Sequence, residues 1–249
     1  VLKVVTEKGA NPQSEISSEE AKKISPSAKV GETIEIDLPS ETLGRIAAQA
    51  AKQVIFQKVR DAEQEKIYDE FAPRLGEIVT GVFRRAENNN MILEVNKTDV
   101  IFPFREKLLL DEFMPGDRVR AVIIQVKKGN KGPQIIVSRT SPKFLEKLLE
   151  LESPEIANGL IEIKDIVRQA GERAKVAVVT RDKDIDPIGA CIGIKGSRIL
   201  AISKELLGEK IDIIEWSSNP TLYARAALSP ARVERVVILS KTDKTMQAI

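Results

Sequence analysis

The sequence predicts a multidomain α+β protein that combines a long helix, a small β-barrel and an α/β domain. Three observations favour this class. Residues 40–72 show a helical pattern with no interrupting proline, and residues 75–139 contain five short β-rich runs. Residues 155–231 alternate strand-like and helical segments around a loop that contains glycines. Because these patterns follow one another along the chain, we expect separate modules.

The overall composition is typical of globular domains with a charged surface. Of the 249 residues, 42% are hydrophobic and 31% are charged, which argues against disorder. No apolar run approaches the roughly 20 residues that span a bilayer, so no membrane association is predicted. A single cysteine cannot form an internal disulfide, which favours a reducing, cytoplasmic setting.

The chain has no histidine. This removes the commonest general base and the commonest metal ligand. With one cysteine, a structural zinc site is also disfavoured. We therefore predict a protein that is not an enzyme, with no catalytic residue, no metal and no cofactor.

The first 74 residues predict part of a small domain followed by a long helix. Strand-like "VLKVV" and "ETIEIDL" flank a polar stretch, and the chain is expected to begin inside a longer protein. Ser40 is a suitable N-cap and Pro73 ends the helical pattern. The helix, residues 40–72, would be roughly 45–50 Å long. It could serve as a strut between modules; coiled-coil self-association is the alternative, although the heptad is irregular.

Residues 75–139 predict a five-stranded barrel. The β-rich runs are "GEIVTGVF", "NMILEV", "DVIFPF", "DRVRAVIIQV" and "QIIVSR". Asn88–Asn90, Asn96–Lys97 and Gly129–Gly132 supply turn residues, and a longer connection separates the third and fourth runs. This order suits a small closed barrel of the oligonucleotide-binding kind.

Residues 140–154 predict a linker helix between two domains, because Ser-Pro pairs bracket "KFLEKLLELE". Residues 155–231 then form the predicted α/β domain. Its last helix begins at Asn219-Pro220, where an N-cap residue is followed by proline at the first helical position.

The stretch "DPIGACIGIKGSRILAISKEL", residues 186–206, does not fit a nucleotide-binding loop. A Walker loop needs lysine after its second glycine, whereas Lys195 precedes Gly196. The spacing of Gly189, Gly193 and Gly196 also fails the G-x-G-x-x-G dinucleotide pattern.

The acidic residues ahead of this stretch do not form a calcium loop. Counted from Asp182, the sixth position is Pro187 and the twelfth is Gly193, where glycine and glutamate are required. These carboxylates are better explained as solvated turn residues. Cys191 lies among apolar residues and is expected to be a small buried side chain.

The remaining interpretation is a helix–GxxG–helix unit, which in KH domains clamps about four nucleotides of single strand. Glycines let a phosphate backbone approach closely, and the following helix start favours an anion. Lys195 and Arg198 would add charge at the rim. The predicted RNA-binding residues here are Gly193, Ile194, Lys195, Gly196, Ser197 and Arg198. The second match, residues 129–132, is followed by Pro133 and is interpreted as a hairpin turn.

The barrel segment carries a second set of candidates for RNA contact. Its 11 basic side chains exceed its 8 acidic ones, which favours a local interaction with a polyanion. Aromatic rings beside basic residues are typical of single-strand-binding barrels. For Phe83 and Phe102, stacking on bases and burial in the core both stay open, whereas Phe104 and Phe113 are expected in the core. The candidates are Phe83, Arg84, Arg85, Phe102, Arg118, Arg120, Lys127, Lys128 and Arg139.

Together these segments resemble the NusA family of bacterial transcription elongation and termination factors. "AKQVIFQKVRDAE", "GEIVTGV…PGDRVRAVI" and "ERAKVAVVTRDKDIDPIGACIGIKGSRILAISKELLGEKIDIIEWSSNP" are similar to its connecting helix, S1 barrel and first KH domain. The resemblance implies a type II KH fold and a continuous S1–KH surface for nascent single-stranded RNA. It also implies docking on RNA polymerase, contact with other antitermination factors, and a role in pausing, termination and antitermination.

The sequence departs from the family pattern at its end. The family has a second KH domain with its own GxxG, whereas residues 232–249 look like only the start of one. The alternative function is an RNA-binding S1/KH accessory portion of an RNA-processing exoribonuclease. In those enzymes the KH domain usually precedes the S1 domain, which is the reverse of the order here.

Overall fold

The computed structural model describes residues 2–7, 15–25, 27–36, 40–129, 132–240 and 242–249. The chain divides into two compact units, residues 1–62 and 63–249. The second unit contains a barrel, an α/β domain and a terminal hairpin.

The first unit contains a three-stranded sheet and a short helix, with the elements β1 (Leu2–Thr6), β2 (Glu15–Ser17), α1 (Ser18–Ile24) and β3 (Thr33–Glu35). Strand β1 is central, parallel to β2 and antiparallel to β3. Val5 and Ala21 are fully buried in its small core. Strand β2 and helix α1 were not predicted from the polar stretch, although Ser17 accepts a hydrogen bond from the Glu20 amide as an N-cap.

The long helix, α2, spans Ser40–Phe71 and has 32 residues. At 1.5 Å per residue its length is about 48 Å. It ends at Phe71 and is followed directly by a 3-10 turn, Ala72–Arg74, that contains Pro73. The predicted N-cap role of Ser40 concerns a side chain outside the described part of the chain. In the second unit, Ile67 and Phe71 from the end of α2 pack against the barrel core.

The barrel consists of the five strands β4 (Ile78–Glu87), β5 (Asn90–Val95), β6 (Thr98–Pro103), β7 (Arg118–Gly129) and β8 (Gly132–Ser138). It closes in the order β4-β5-β6-β8-β7, so that every strand has two neighbours. Asn88 and Asn89 have φ angles of 47° and 60°, which suits the two-residue hairpin between β4 and β5. Asn130 and Lys131 of the predicted β7–β8 turn lie outside the described residues.

The α/β domain extends from Pro142 to Ala227. Its elements are α3 (Pro142–Glu152), α4 (Pro154–Ala157), β9 (Ile161–Gln169), β10 (Arg173–Thr180), α5 (Pro187–Ile192), α6 (Ser197–Glu205), β11 (Lys210–Glu215) and α7 (Pro220–Ala227). The sheet order is β11-β10-β9, and β10 is antiparallel to β9 and parallel to β11. Asn219 caps α7 by accepting a hydrogen bond from the Thr221 amide at 3.0 Å, as the sequence predicts.

Helix α3 is part of the α/β core rather than a linker, which corrects the interpretation of residues 140–154. Its buried side chains are Phe144, Leu145, Leu148 and Leu149. They share one cluster with Val176 and Val178 of β10 and with Ile202 of α6. The apolar face of α3 is therefore buried within the second unit, in a cluster that also includes residues of the barrel segment.

Two buried arginines tie the second unit together. Arg139, at the end of the barrel, donates to Asp111 Oδ2 at 3.0 Å and to Glu205 Oε1 at 2.9 Å. Because Glu205 ends α6, this residue joins the barrel to the α/β domain. Arg168 of β9 makes a bidentate pair with Glu209 at 2.7 and 2.8 Å, and both side chains are fully buried.

The chain ends in the antiparallel hairpin β12 (Val236–Ser240) and β13 (Thr245–Ala248). The assignment of residues 232–249 to a second KH domain stays a prediction. No helix among the described residues is long and apolar enough to cross a membrane.

Candidate nucleic-acid interface

The GIKG loop, Gly193–Gly196, connects α5 to α6. Helix α5 begins where Asp186 Oδ1 accepts a hydrogen bond from the Ile188 amide at 3.0 Å, with Pro187 at the first helical position. The helix ends at Gly193, whose φ of 76° and ψ of 173° lie in a region that is essentially restricted to glycine. The reversal of the chain at this point thus depends on a glycine.

The second half of the loop turns into α6. Lys195 has φ 53° and Gly196 has φ 78°, so two successive residues adopt the left-handed conformation. Ile194 is 85% exposed, and Lys195 and Ser197 are also exposed. A Cβ atom at Gly196 would have no neighbour nearer than 3.9 Å. The loop therefore presents an uncovered backbone and a cation at the start of a helix, an arrangement that suits a phosphate.

Arg198 is engaged within the domain, which corrects its predicted place as a free charge at the rim. Its guanidinium donates to Glu155 Oε2 at 2.8 Å and to the Ala190 carbonyl oxygen of α5. Hydrogen bonds, first from its own backbone amide and then from Arg198, lower the pKa of the Glu155 carboxyl. A Cβ atom at Gly193 would lie 2.7 Å from Arg198 Cγ. Arg198 is therefore a positioning residue for the loop.

A groove of about 770 Å³ lies between the edge strand β11 and helix α7 with the segment that follows it, and α5 contributes one lining residue. Ile188 and Ile213 contribute apolar surface, and Trp216 lines the groove just after β11. Lys164 Nζ lies 5.6 Å from the centroid of the Trp216 ring. Apolar and aromatic surface of this kind can accept bases. Trp216 was not among the predicted site residues, although it is the single tryptophan of the chain.

The two candidate phenylalanines of the barrel are core residues, and their predicted stacking role is wrong. Phe83 is 6% exposed and Phe102 is 0% exposed, and both belong to the apolar cluster inside the barrel. Phe113 packs partly against the same cluster, as predicted, whereas Phe104 remains 38% exposed. A base cannot reach either ring face of Phe83 or Phe102 without opening the barrel.

Arg84 and Arg85 are exposed but already paired with carboxylates. Arg84 makes a bidentate interaction with Glu94 at 3.0 and 3.2 Å, and Arg85 donates to Asp99 at 3.0 Å. Hydrogen bonding to Arg84 lowers the pKa of the Glu94 carboxyl, so that this partner stays ionised at neutral pH. RNA contact by either arginine would require the exchange of one anion for another.

The other barrel candidates differ in availability. Arg139 is 3% exposed and held by Asp111 and Glu205, so its predicted RNA contact is wrong. Lys128 lies 4.7 Å from the centroid of the Tyr68 ring and 3.5 Å from a Glu65 oxygen, whereas Lys127 is exposed and forms no ion pair with a described residue.

Arg118 and Arg120 of β7 are exposed on one face of the strand. Arg120 approaches Glu205 at 3.6 Å. Arg118 makes no ion pair with any residue that the structure describes. Arg118 and Lys127 are therefore the predicted barrel cations that remain most available, followed by Arg120.

Cys191 is buried on α5, and burial raises the pKa of its thiol to about 11. Because the thiolate is the reactive form, the native protein at pH 8 should react with iodoacetamide at least tenfold more slowly than the urea-unfolded chain. Mass spectrometry of the alkylated protein over time measures both rates. Equal rates would mean that the thiol is accessible in the folded domain.

Within the described ranges, no group of three or more acidic or cysteine side chains is arranged to hold a metal ion. The chemistry that the site offers is therefore that of a backbone loop, cations and apolar surface.

Comparisons with known proteins identify the family. The model of the NusA-like first KH domain matches residues 139–216, and the model of the NusA N-terminal domain matches residues 1–65. Transcription termination/antitermination protein NusA of Bacillus subtilis is 45% identical over 93% of this chain and 62% of its own length. The protein of the same name from Halalkalibacterium halodurans is 43% identical over 99% of this chain and 64% of its own length.

The chain thus spans less than two thirds of the length of these relatives. One solved structure, the a/eIF2alpha–aDim2p–rRNA complex from Pyrococcus horikoshii OT3, matches 34% of this chain and 57% of its own chain at 22% identity. Its TM-score of 0.25 is too low to bear on the fold. Two NusA-specific domain models and NusA relatives above 40% identity together show that this chain belongs to the NusA family.

Proposed function

We propose that this chain is the RNA-binding portion of a transcription termination and antitermination factor, and that the GIKG loop clamps single-stranded RNA. The observation that carries the proposal is the left-handed, uncovered backbone at Lys195 and Gly196, directly ahead of α6, within a NusA-like first KH domain. Phosphates would lie against the loop backbone, and bases would lie in the groove along β11.

The domain organisation supports this function. We assign residues 75–139 to an S1 barrel of the OB type, because the five strands close into a barrel in the order β4-β5-β6-β8-β7. We assign residues 140–231 to a type II KH domain, in which the helix at 142–152 precedes β9 and β10. On this assignment the domain begins near residue 140, whereas the sequence pattern predicts a start at residue 155.

The partners follow from the family. Nascent single-stranded RNA is the proposed ligand, and RNA polymerase and other antitermination factors are the proposed protein partners, in the cytoplasm. The relatives are named as transcription termination/antitermination proteins, which supports a role as a transcription factor rather than an enzyme.

Substitution of Gly196 by aspartate tests the clamp. Aspartate tolerates the left-handed conformation, and its Cβ finds open space at this position, so the fold should persist. Its charge would repel phosphate from the loop backbone, so affinity for a 12-nucleotide RNA should fall by about tenfold or more. Fluorescence anisotropy at fixed salt measures the change, because salt alone shifts such affinities strongly.

The matched control is Gly159→Asp. Gly159 has a φ of 72°, also has no neighbour within 4 Å of a built Cβ, and lies outside the loop. An equal fall in RNA affinity in the two variants would mean that the effect comes from the change in net charge and not from the loop. Unchanged affinity in Gly196→Asp would show that the loop is not the contact.

Incubation of the parent protein with labelled RNA and Mg²⁺ should leave the RNA intact. Shortening of the RNA that tracks the protein through purification would contradict the non-enzymatic role.

A further inference from the structure

A second groove lies between the barrel and the end of α6. Its volume is about 700 Å³, within the range of small-molecule sites. Arg118 and Arg120 line it from β7, and Phe113 lines it from the connection that precedes β7. Lys204 and Leu207 line it from the α/β domain. Neither domain alone supplies both walls.

The floor of this groove is fixed by the buried arginine. Arg139 Nη2 donates to the Glu205 carbonyl oxygen at 2.8 Å, and its Nη1 donates to the Arg120 carbonyl oxygen at 2.7 Å. Asp111 is engaged by the same guanidinium. Because these groups are mutually paired, they hold the two walls of the groove together.

The charges that remain in the groove are mainly positive. Arg118 and Lys204 are exposed, and their side chains form no hydrogen bond or ion pair with any described residue. Arg120 has only the 3.6 Å approach to Glu205. Glu112 is the one lining carboxylate that is not paired with a described residue. The lining as a whole carries four cations and three carboxylates, a net charge of +1, and its two unpaired cations outnumber its one unpaired carboxylate, which favours an anionic ligand.

The groove also offers apolar surface next to these cations. Phe113 is only partly buried, with Phe102 at a centroid distance of 6.3 Å and the Arg139 guanidinium at 5.7 Å. Leu110 and Leu207 are 63% and 42% exposed. A planar base can rest on such surface while its phosphate contacts the cations, whereas an acidic peptide would use the charges alone.

The groove lies within reach of a strand that occupies the GIKG loop. Helix α6 begins at Ser197, directly after the loop, and Lys204 stands roughly 10 Å further along its axis. About three nucleotides at the stacked spacing of roughly 3.4 Å cover this distance.

We propose that the barrel–α6 groove is a second nucleotide subsite, in which Arg118, Arg120 and Lys204 hold a phosphate and Phe113 supports the base. The subsite rests on the proposed function of the loop, because one RNA strand would occupy both. It is an addition to that function, since neither the loop nor the phenylalanines buried in the barrel core contribute to it.

The test compares fluorescein-labelled oligouridines of 4 and 12 nucleotides, bound to the whole chain in a salt series. Arg118→Gln with Lys204→Gln should weaken binding of the 12-mer about tenfold and leave the 4-mer unchanged. The slope of log affinity against log salt should become shallower by about 0.7 for each phosphate that the variant no longer neutralises. Lys58→Gln with Arg60→Gln removes the same charge from exposed positions of α2 and should change neither ligand.

Phe113→Leu provides an independent variant with a different signature. It keeps an apolar side chain against the barrel core but removes the ring, so 12-mer affinity should fall at least fivefold while the salt slope stays unchanged. Thermal unfolding of each variant checks that the fold is retained.

Three outcomes separate the possibilities. If the groove variant matches the α2 control on the 12-mer while Gly196→Asp still weakens binding, the subsite is overturned and the loop function stands. If the parent binds neither oligonucleotide, the proposed function itself fails. If labelled hexaglutamate loses affinity in the groove variant while 12-mer binding does not change, the groove recognises an acidic protein segment and the RNA subsite is overturned.

Discussion

Arg168→Met is expected to lower the free energy of unfolding by about 3–5 kcal/mol, the usual cost of removing one partner from a buried ion pair. Arg168 and Glu209 are both fully buried in the α/β domain. The substitution would leave Glu209 with the Gly171 amide as its remaining hydrogen-bond donor. It would also remove the donor to the Ser141 carbonyl oxygen.

Urea unfolding followed by tryptophan fluorescence measures this destabilisation, because the single tryptophan, Trp216, lies next to β11. The matched control is Arg173→Met. Arg173 pairs with Asp212 on the same sheet at 2.6 Å, but the two side chains are 46% and 32% exposed. Solvent screens such a pair, so the control should lose less than about 1 kcal/mol. Equal destabilisation in the two variants would contradict the assignment of stability to burial.

A double variant, Arg168→Met with Glu209→Met, should recover only part of the stability. Apolar replacement of a buried pair is often neutral, because it removes the cost of desolvating two charges. Here the Gly171 amide and the Ser141 carbonyl would still lack their partners. Because both groups are only partly buried, the loss of each partner should cost about 1 kcal/mol, the low end for an unsatisfied group.

Arg139→Met is expected to uncouple the barrel from the α/β domain as well as to destabilise the second unit. Asp111, 2% exposed, would keep only the Leu108 amide at 2.8 Å as a donor to its carboxylate. The free energy of unfolding should again fall by about 3–5 kcal/mol. Because the contact to Glu205 crosses between the domains, their unfolding transitions should separate along a urea series.

Two probes follow the two domains independently. Trp216 fluorescence reports on the α/β domain, and hydrogen exchange with mass spectrometry follows the strands of the barrel. Arg105→Met is the control, since Arg105 is 83% exposed and contacts only Glu106 among the described residues. Coincident transitions in Arg139→Met, with a stability close to that of the control, would refute the coupling role.

Local patterns identified the elements of the barrel and the loop, because these depend on short-range chemistry. The asparagines at 88 and 89 adopt the positive φ angles that their hairpin requires. The start of α5 is likewise encoded by a capping residue and a proline, and the turn between α5 and α6 by two glycines. Helix α2, residues 40–71, could be predicted from its helical periodicity and the absence of proline alone.

The direction in which side chains point could not be obtained in the same way. A register shift between Phe83 and Arg85 breaks the alternation along β4, so the basic neighbours of Phe83 say nothing about its own face. Arg139 directly follows the last barrel strand, a position that suggests exposure, but its guanidinium binds Glu205 at the end of α6, 66 residues later in the sequence. The linker interpretation of α3 failed for a related reason: periodicity reveals an apolar face but not the surface that buries it.

The placement of α3 at the front of the α/β domain has a consequence for synthesis on the ribosome. The barrel strands end at Ser138, so the barrel can close as soon as α3 begins to emerge. The buried face of α3 is complete at Leu149, yet its partners extend to Leu206, about 57 residues later. At a synthesis rate of 5–20 residues per second, the four large apolar side chains of α3 lack their full set of packing partners for about 3–11 s. During that interval, the nascent chain offers chaperones a transient binding site that the finished protein no longer has.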